Sequence, residues 1–414
     1  MQPIGIVTEA NPWHYGHQWL VNSVRQQLDP EAIIGIMSGH FTQRGEPAIT
    51  DKWLRTQMAL AAGIDLIIEL PVHFAVRSSG FFAHGAIKLL SLAGAQALAF
   101  SCEHPQLDLL KEIAGYLNDE PFAYRQAVKA NLKSGASLAQ ARADALVATC
   151  YHDDPHIATI LSSPNDILAI SYLQELEKLH WPLAPIAFQR QGSGYHSLTT
   201  SHFSSAAAIR NCIYTGKIND LDSLLPPKSA ELLKQALQNR LAPPHMDNYF
   251  QLMLYKLRTS SSATLQSISE MEAGLENRLL KAARQATNYN DFISTLKTKR
   301  YPYTRLQRLL FYVLFDIKAG QVASLDAKTN EYLRILGCST TGAAWLKQLN
   351  IKAELVLRRG RDLRTLLRGN NALLSQQLSL DIKASAVYDL LHPAGHMNHS
   401  EKDFTQPVFF KPGS

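Results

Sequence analysis

The chain has 414 residues, of which 46% are hydrophobic and only 18% charged, so it can bury sizeable cores and its length fits two or three globular domains. The start, Met1-Gln2-Pro3-Ile4-Gly5, has no basic region ahead of an apolar stretch, and no run approaches the ~18 apolar residues of a membrane span; a cytoplasmic protein with no membrane partner is expected. Cys102, Cys150, Cys212 and Cys338 are scattered without paired spacing, which argues against a disulfide framework or a zinc site and leaves no metal centre to expect. The net charge of +6 hides an uneven distribution: between Asp291 and Asn370 there are 15 Lys and Arg against 6 Asp and Glu, a local +9. Such a window points to a polyanionic partner.

Through the first half, short apolar runs alternate with amphipathic stretches. Ile4 to Thr8, Ala32 to Met37, Asp65 to Leu70, Ala97 to Phe100 and Leu183 to Phe188 read as buried strands. Helical patterns separate them, with Gly63 and Gly94 at helix ends and Pro71 stopping the third strand. Alternation of this kind predicts right-handed βαβ units on a parallel, Rossmann-like α/β sheet over residues 1–217. From Ile218 the pattern changes to long helical stretches such as Ala230 to Arg240 and Glu272 to Ala286, with hardly any strand candidates, so a mostly helical region is expected over 218–391. A loose polar tail over 392–414 is expected to follow; the histidines at His392, His396 and His399 suit a solvated tail better than a metal site.

The first chemical motif follows the first predicted strand: Val7, Thr8, Glu9, Ala10, Asn11, Pro12, Trp13, His14, Tyr15, Gly16, His17, Gln18, Trp19 and Leu20, with a helix opening inside it. Ligands of open α/β sheets bind at the carboxyl ends of the strands, where a helix N-terminus offers unpaired N–H groups and a positive dipole end. Two imidazoles separated by Tyr15-Gly16 face the same anion there, and preorganised donors stabilise charge developing on a phosphoryl group. The bland reading of the same residues is a capping histidine beside a chance second one. A second motif, Ser204-Ser205-Ala206-Ala207-Ala208-Ile209-Arg210, offers a capped helix whose N–H groups and Arg210 suit phosphates. Polar segments at other strand ends are Met37 to Pro47, Ser163-Pro164-Asn165 and Gln189 to His196. Lys52 or Arg55, on the helix opened by Asp51, offers a cation for a carboxylate or phosphate.

In this order the segments resemble the tRNA(Met) cytidine acetate ligase family, within the His-x-Gly-His nucleotidylyltransferase superfamily, from Ile4 through Tyr388. The matching segments are Val7 to Leu20, Met37 to Gly39, Gln43 to Ala48, Asp51 to Trp53, Glu69-Leu70-Pro71, Ser163-Pro164-Asn165, Arg190, Tyr195-His196 and Tyr303 to Arg308. The chain departs from the family at Ala10, Trp13 and Tyr15, while both histidines and Gly16 remain. Ser101 replaces the glycine of a usual Phe-Gly-Ser-Glu, where a close backbone contact to adenosine would lie.

The resemblance implies condensation of acetate with ATP to acetyl-adenylate and pyrophosphate, followed by acetyl transfer to the exocyclic amine of the wobble cytidine of elongator tRNA(Met). It places His14, His17 and Lys52 in catalysis and the Val7 to Leu20 loop, Ser101, Asn165, Arg190 and Arg210 on ATP, with magnesium on the phosphates. The basic window then supplies the tRNA surface, through Lys297, Lys299, Arg300, Arg305 and Arg308, with Arg358, Arg359, Arg361, Arg364 and Arg368 beyond and Tyr301 and Tyr303 interspersed. A solvated helix face has the same composition. Two other functions use the same turn: a cofactor-type adenylyltransferase, which needs no basic helical region, and an RNA-binding module with a retired nucleotide site.

Overall fold

The structure, a computed structural model, describes residues 2–151, 155–191, 203–328, 331–349, 352, 355–392 and 401–412. Its centre is a sheet ordered β5-β4-β1-β2-β3-β6-β7, with β8 also on β6. The strands are β1 (Ile4–Thr8), β2 (Ile33–Ser38), β3 (Leu66–Leu70), β4 (Ala97–Cys102), β5 (Ala184–Gln189), β6 (Leu333–Ser339), β7 (Val356–Leu357) and β8 (Phe409–Lys411). The first five pair in parallel, as the alternating pattern predicts, with Ile4 opposite both Ile33 and Ala97. Helices cover both faces. Ile34, Ile36, Leu98 and Phe100 pack under the helices Ser79–Leu92 and Pro164–Lys178, while Ile4, Ile6, Met37 and Ala99 pack under Tyr15–Leu28 and Lys52–Ala61.

The expected helical region does not stay apart from this sheet. β6 runs antiparallel to β3, and its outer edge receives β7 along its first residues and β8 along its last. Arg334, set among the buried apolar residues of β6, interrupts the run that would have marked it as a strand. The guanidinium is matched rather than exposed: it meets Asp403 at 2.6 Å and Glu69 at 3.2 Å, while Lys52 meets Glu69 at 2.9 Å and Asp403 at 2.8 Å. Asp403 comes from the segment expected as a loose tail, of which residues 401–412 are folded through a short helix, Lys402–Thr405, and β8. Residues 393–400, which carry His396 and His399, lie outside the described residues.

The remaining helices build their own core, into which the loop after β2 inserts Phe41. Its ring meets Phe311 at 4.9 Å and Phe315 at 5.5 Å. On the same loop Gly45 has φ +81°, and a Cβ there would come within 2.8 Å of the Arg308 backbone, so the helix Tyr303–Phe315 lies directly on this loop. Tyr388 donates to the Ala48 carbonyl at 2.9 Å on the other side. The helical region therefore rests on the carboxyl edge of the sheet, where ligands bind in open α/β folds.

Candidate active site

The turn after β1 is stitched to its neighbours before any ligand is considered. Asn11 Oδ1 accepts the Ile49 N–H at 2.7 Å, and Glu9 Oε1 accepts the Gln43 N–H at 2.6 Å. Arg55, fully buried, donates to the carbonyls of Glu9 and Thr50 at 2.7 and 3.2 Å and to that of Gly39. Burial pushes the Glu9 carboxyl up, against the lowering effect of the Gln43 N–H. One guanidinium thus ties the ends of β1 and β2 together, and the histidine turn starts from a fixed platform.

His14 is the N-cap of the helix Tyr15–Leu28, and its Nδ1 accepts the Gly16 N–H at 3.0 Å. His17 Nδ1 in turn accepts the His14 N–H at 3.3 Å, and the two rings lie 4.0 Å apart. His14 caps the helix as the bland reading expects, and because capping uses Nδ1 it leaves Nε2 uncommitted to the cap. A ring nitrogen that accepts an N–H carries no proton, so both neutral rings hold theirs on Nε2. Burial lowers the pKa of His14 well below the usual value, aided by His17, Arg190 and Arg210; burial and Arg190 lower His17 to about 3. The turn therefore offers two neutral N–H donors. Gly16 leaves room for the ring packed beside it: a Cβ would sit 2.8 Å from the His14 ring.

Two cations flank the rings. Arg210, on the helix Ala206–Tyr214 capped by Ser205, donates to the Asn11 carbonyl at 2.9 Å and pairs with Glu46 at 3.4 Å. Arg190 is anchored through its backbone N–H to the Cys102 carbonyl at 2.9 Å, and its buried Nε has no hydrogen-bond partner among the described residues. The two motifs, far apart in the chain, thus meet. Asn165 and Ser101 lie on the β4 side of the turn. Ser101 stands opposite Phe188 in the sheet, and Asn165 begins the helix Pro164–Lys178.

Within the Val7 to Leu20 loop, Trp13 and Leu20 are core residues, Thr8 accepts the Ala10 N–H at 3.2 Å, and Gln18 donates to the Ala62 carbonyl at 2.9 Å. The Trp13 ring lies tilted against that of His17 with centroids 5.0 Å apart, and Trp19 packs edge-on against Phe188. These residues shape the turn; Val7 and Tyr15 are half-buried beside it. Lys52 has a different setting from the one expected of a catalytic cation. Its ammonium is fully buried and committed to Glu69 and Asp403, which leaves it organising the sheet edge rather than open to phosphate.

Among the basic residues, Lys297, Lys299, Arg300, Arg358, Arg359, Arg361, Arg364 and Arg368 are exposed. Arg300 and Arg305 share Glu272, at 2.7 and 2.5 Å, around the Tyr301 ring. Arg308 is mostly buried, and burial lowers its pKa, so it is a packing residue as much as a charge. Residues 192–202, including Tyr195 and His196, lie outside the described residues. Residue patterns alone did not single out Glu103, His104 or Asp166. These three form a clasp between the end of β4 and the start of the Pro164–Lys178 helix, and only the Glu103 position, closing the Phe100-Ser101-Cys102-Glu103 segment, offered a clue.

The chain has close counterparts among known proteins. A family model described as HIGH Nucleotidyl Transferase matches residues 1–403. The tRNA(Met) cytidine acetate ligase of Syntrophomonas wolfei is 39% identical over 409 residues, 98% of each chain, and that of Halothermothrix orenii is 35% identical over 99% of each. Crystal structures of Thermotoga maritima TmcAL, 30% identical over the whole of both chains, superpose with a TM-score of 0.94 for the apo form and 0.91 for the form bound with alpha-thio ATP.

Proposed function

This chain belongs to the HIGH nucleotidyl transferase family and, within it, to the tRNA(Met) cytidine acetate ligases, and from that premise we propose that it activates acetate with ATP and acetylates the wobble cytidine of elongator tRNA(Met). The observation that carries the chemistry is the pair of neutral Nε2–H donors of His14 and His17, set between Arg190 and Arg210 at the end of β1. A carboxylate oxygen of acetate attacks the α-phosphorus of ATP, the bond to the β-phosphate oxygen breaks, and pyrophosphate leaves. Charge on the phosphoryl oxygens grows during this step, and donors fixed in a buried turn stabilise it without reorganising. The two arginines neutralise the triphosphate, and magnesium enters as part of the nucleotide substrate. Asn165, with Ser101 nearby, holds the nucleoside.

In the second step the exocyclic amine of the cytidine attacks the acetyl carbonyl, AMP leaves, and the nitrogen loses a proton. The exposed cations Lys297, Lys299 and Arg300, with Arg305 beside them, track the tRNA backbone. In this reading Lys52 is structural and Arg308 holds the basic helix against the loop at Gly45. ATP–pyrophosphate exchange with a panel of small carboxylates, with and without bulk tRNA, tests the proposal. Acetate-dependent exchange with AMP as the final nucleotide product is expected; release of ADP, or exchange dependent on a phosphorylated cofactor precursor instead, would replace this reading.

A further inference from the structure

We infer that Glu103 is a positioning residue that fixes the polarity of the Asn165 amide, so that the nucleotide site selects a base donating a hydrogen from its 6-position. The inference rests on the proposed role of Asn165 in holding ATP.

Glu103 directly follows β4. Its Oε1 accepts from Asn165 Nδ2 at 2.6 Å and its Oε2 accepts the Asp166 N–H at 3.1 Å. Gln189, at the end of β5, pins the Glu103 carbonyl at 2.9 Å. Asp166, fully buried, is held by the His104 N–H at 2.9 Å and by the His104 ring at 2.6 Å. The start of the Pro164–Lys178 helix is thereby locked to the strand end from both sides.

An ionised carboxylate only accepts, so Asn165 must present its NH2 group to Glu103. Its Oδ1, which meets no partner among the described residues, is left as an acceptor of fixed direction at the β4 edge of the site. A ribose hydroxyl both donates and accepts and gains nothing from such a fixed polarity. The 6-amino group of adenine only donates, whereas the 6-oxo group of hypoxanthine or guanine only accepts and would face Oδ1 unpaired. Unpaired polar groups discriminate more strongly than missing apolar ones.

Binding of ATP, ITP and 2′-deoxy-ATP, titrated without acetate on the full chain, tests this in the wild type, Glu103→Gln and Asn165→Ala. In Glu103→Gln the new amide can donate as well as accept, so Asn165 is free to turn. The preference for ATP over ITP is expected to fall about tenfold, the order of one hydrogen bond, with the ratio of ATP to 2′-deoxy-ATP unchanged. In Asn165→Ala, adding Glu103→Gln should have no further effect on that preference. An unchanged preference with only a lowered Tm would make Glu103 a helix cap and overturn the inference, as would a change confined to the 2′-deoxy ratio. Acetate-dependent exchange by the wild type is read separately: its absence would remove the acyl-activation reading while leaving the base-selection result to stand on its own.

Discussion

His14 and His17 fix each other's tautomer through the backbone of one turn, with His14 Nδ1 taking the Gly16 N–H and His17 Nδ1 taking the His14 N–H. Both Nε2 atoms therefore keep their hydrogens, and neither ring needs a positive charge to meet a phosphate. Burial enforces the same state by lowering both pKa values.

A first prediction separates the two ring nitrogens of His17. Asparagine places an acceptor near the Nδ1 position, and glutamine places a donor near the Nε2 position. His17→Asn should keep the turn and the Tm but lose about 10²- to 10³-fold in exchange rate, the usual effect of removing one oxyanion donor. His17→Gln should retain more activity than His17→Asn while losing some stability. Equal activity in the two variants would mean that the ring serves the turn alone.

Acid should destabilise the fold through these rings. Below pH 6.5 the unfolded chain takes up protons that the buried imidazole of His17 refuses until about pH 3, so the unfolded state binds more protons and stability falls as pH drops through that window. His17 contributes at most about 1.4 kcal/mol per pH unit there. Denaturant midpoints at pH 7, 6 and 5 should fall less steeply in His17→Asn than in the wild type; parallel slopes would show that the ring is not protected from protons.

The buried cluster of Lys52, Glu69, Arg334 and Asp403 predicts a structural cost of its own. Removing one partner of a buried pair costs about 3–5 kcal/mol. Lys52→Met and Asp403→Asn are both expected to lose stability on that scale, measured by urea unfolding, while the molecules that remain folded keep pyrophosphate exchange. A Lys52→Met protein of wild-type stability and no activity would return Lys52 to the phosphates.

On the basic surface, Lys297→Glu with Lys299→Glu and Arg300→Glu should weaken tRNA binding and flatten its dependence on log salt by roughly 0.7–0.9 for each phosphate that is no longer neutralised. Exchange without tRNA should be unchanged. Arg308→Glu is expected to behave differently, lowering stability first, because its backbone packs on Gly45 and its side chain is mostly buried. A triple variant with wild-type affinity across a salt titration would make these cations a solvated face.

The sequence by itself determined the parallel sheet and the histidine turn, because both are written locally. Five short apolar runs separated by helical periods leave little choice of fold, and His14, Gly16 and His17 stand within one turn of a helix start. Local patterns carry no record of long-range partners. That Arg190 and Arg210 converge on His14, that Glu103 reaches Asn165, and that Lys52 is spent on Glu69 and Asp403 follow only from the folded chain. β6 was hidden for the same reason. A charged residue inside an apolar run reads as an interruption until the fold delivers Glu69 and Asp403 to neutralise it, and a polar C-terminal segment reads as loose until Asp403 and β8 are seen to close the sheet. The burial of a charge is decided by the partners that the tertiary structure brings to it, and those partners lie far away in the chain.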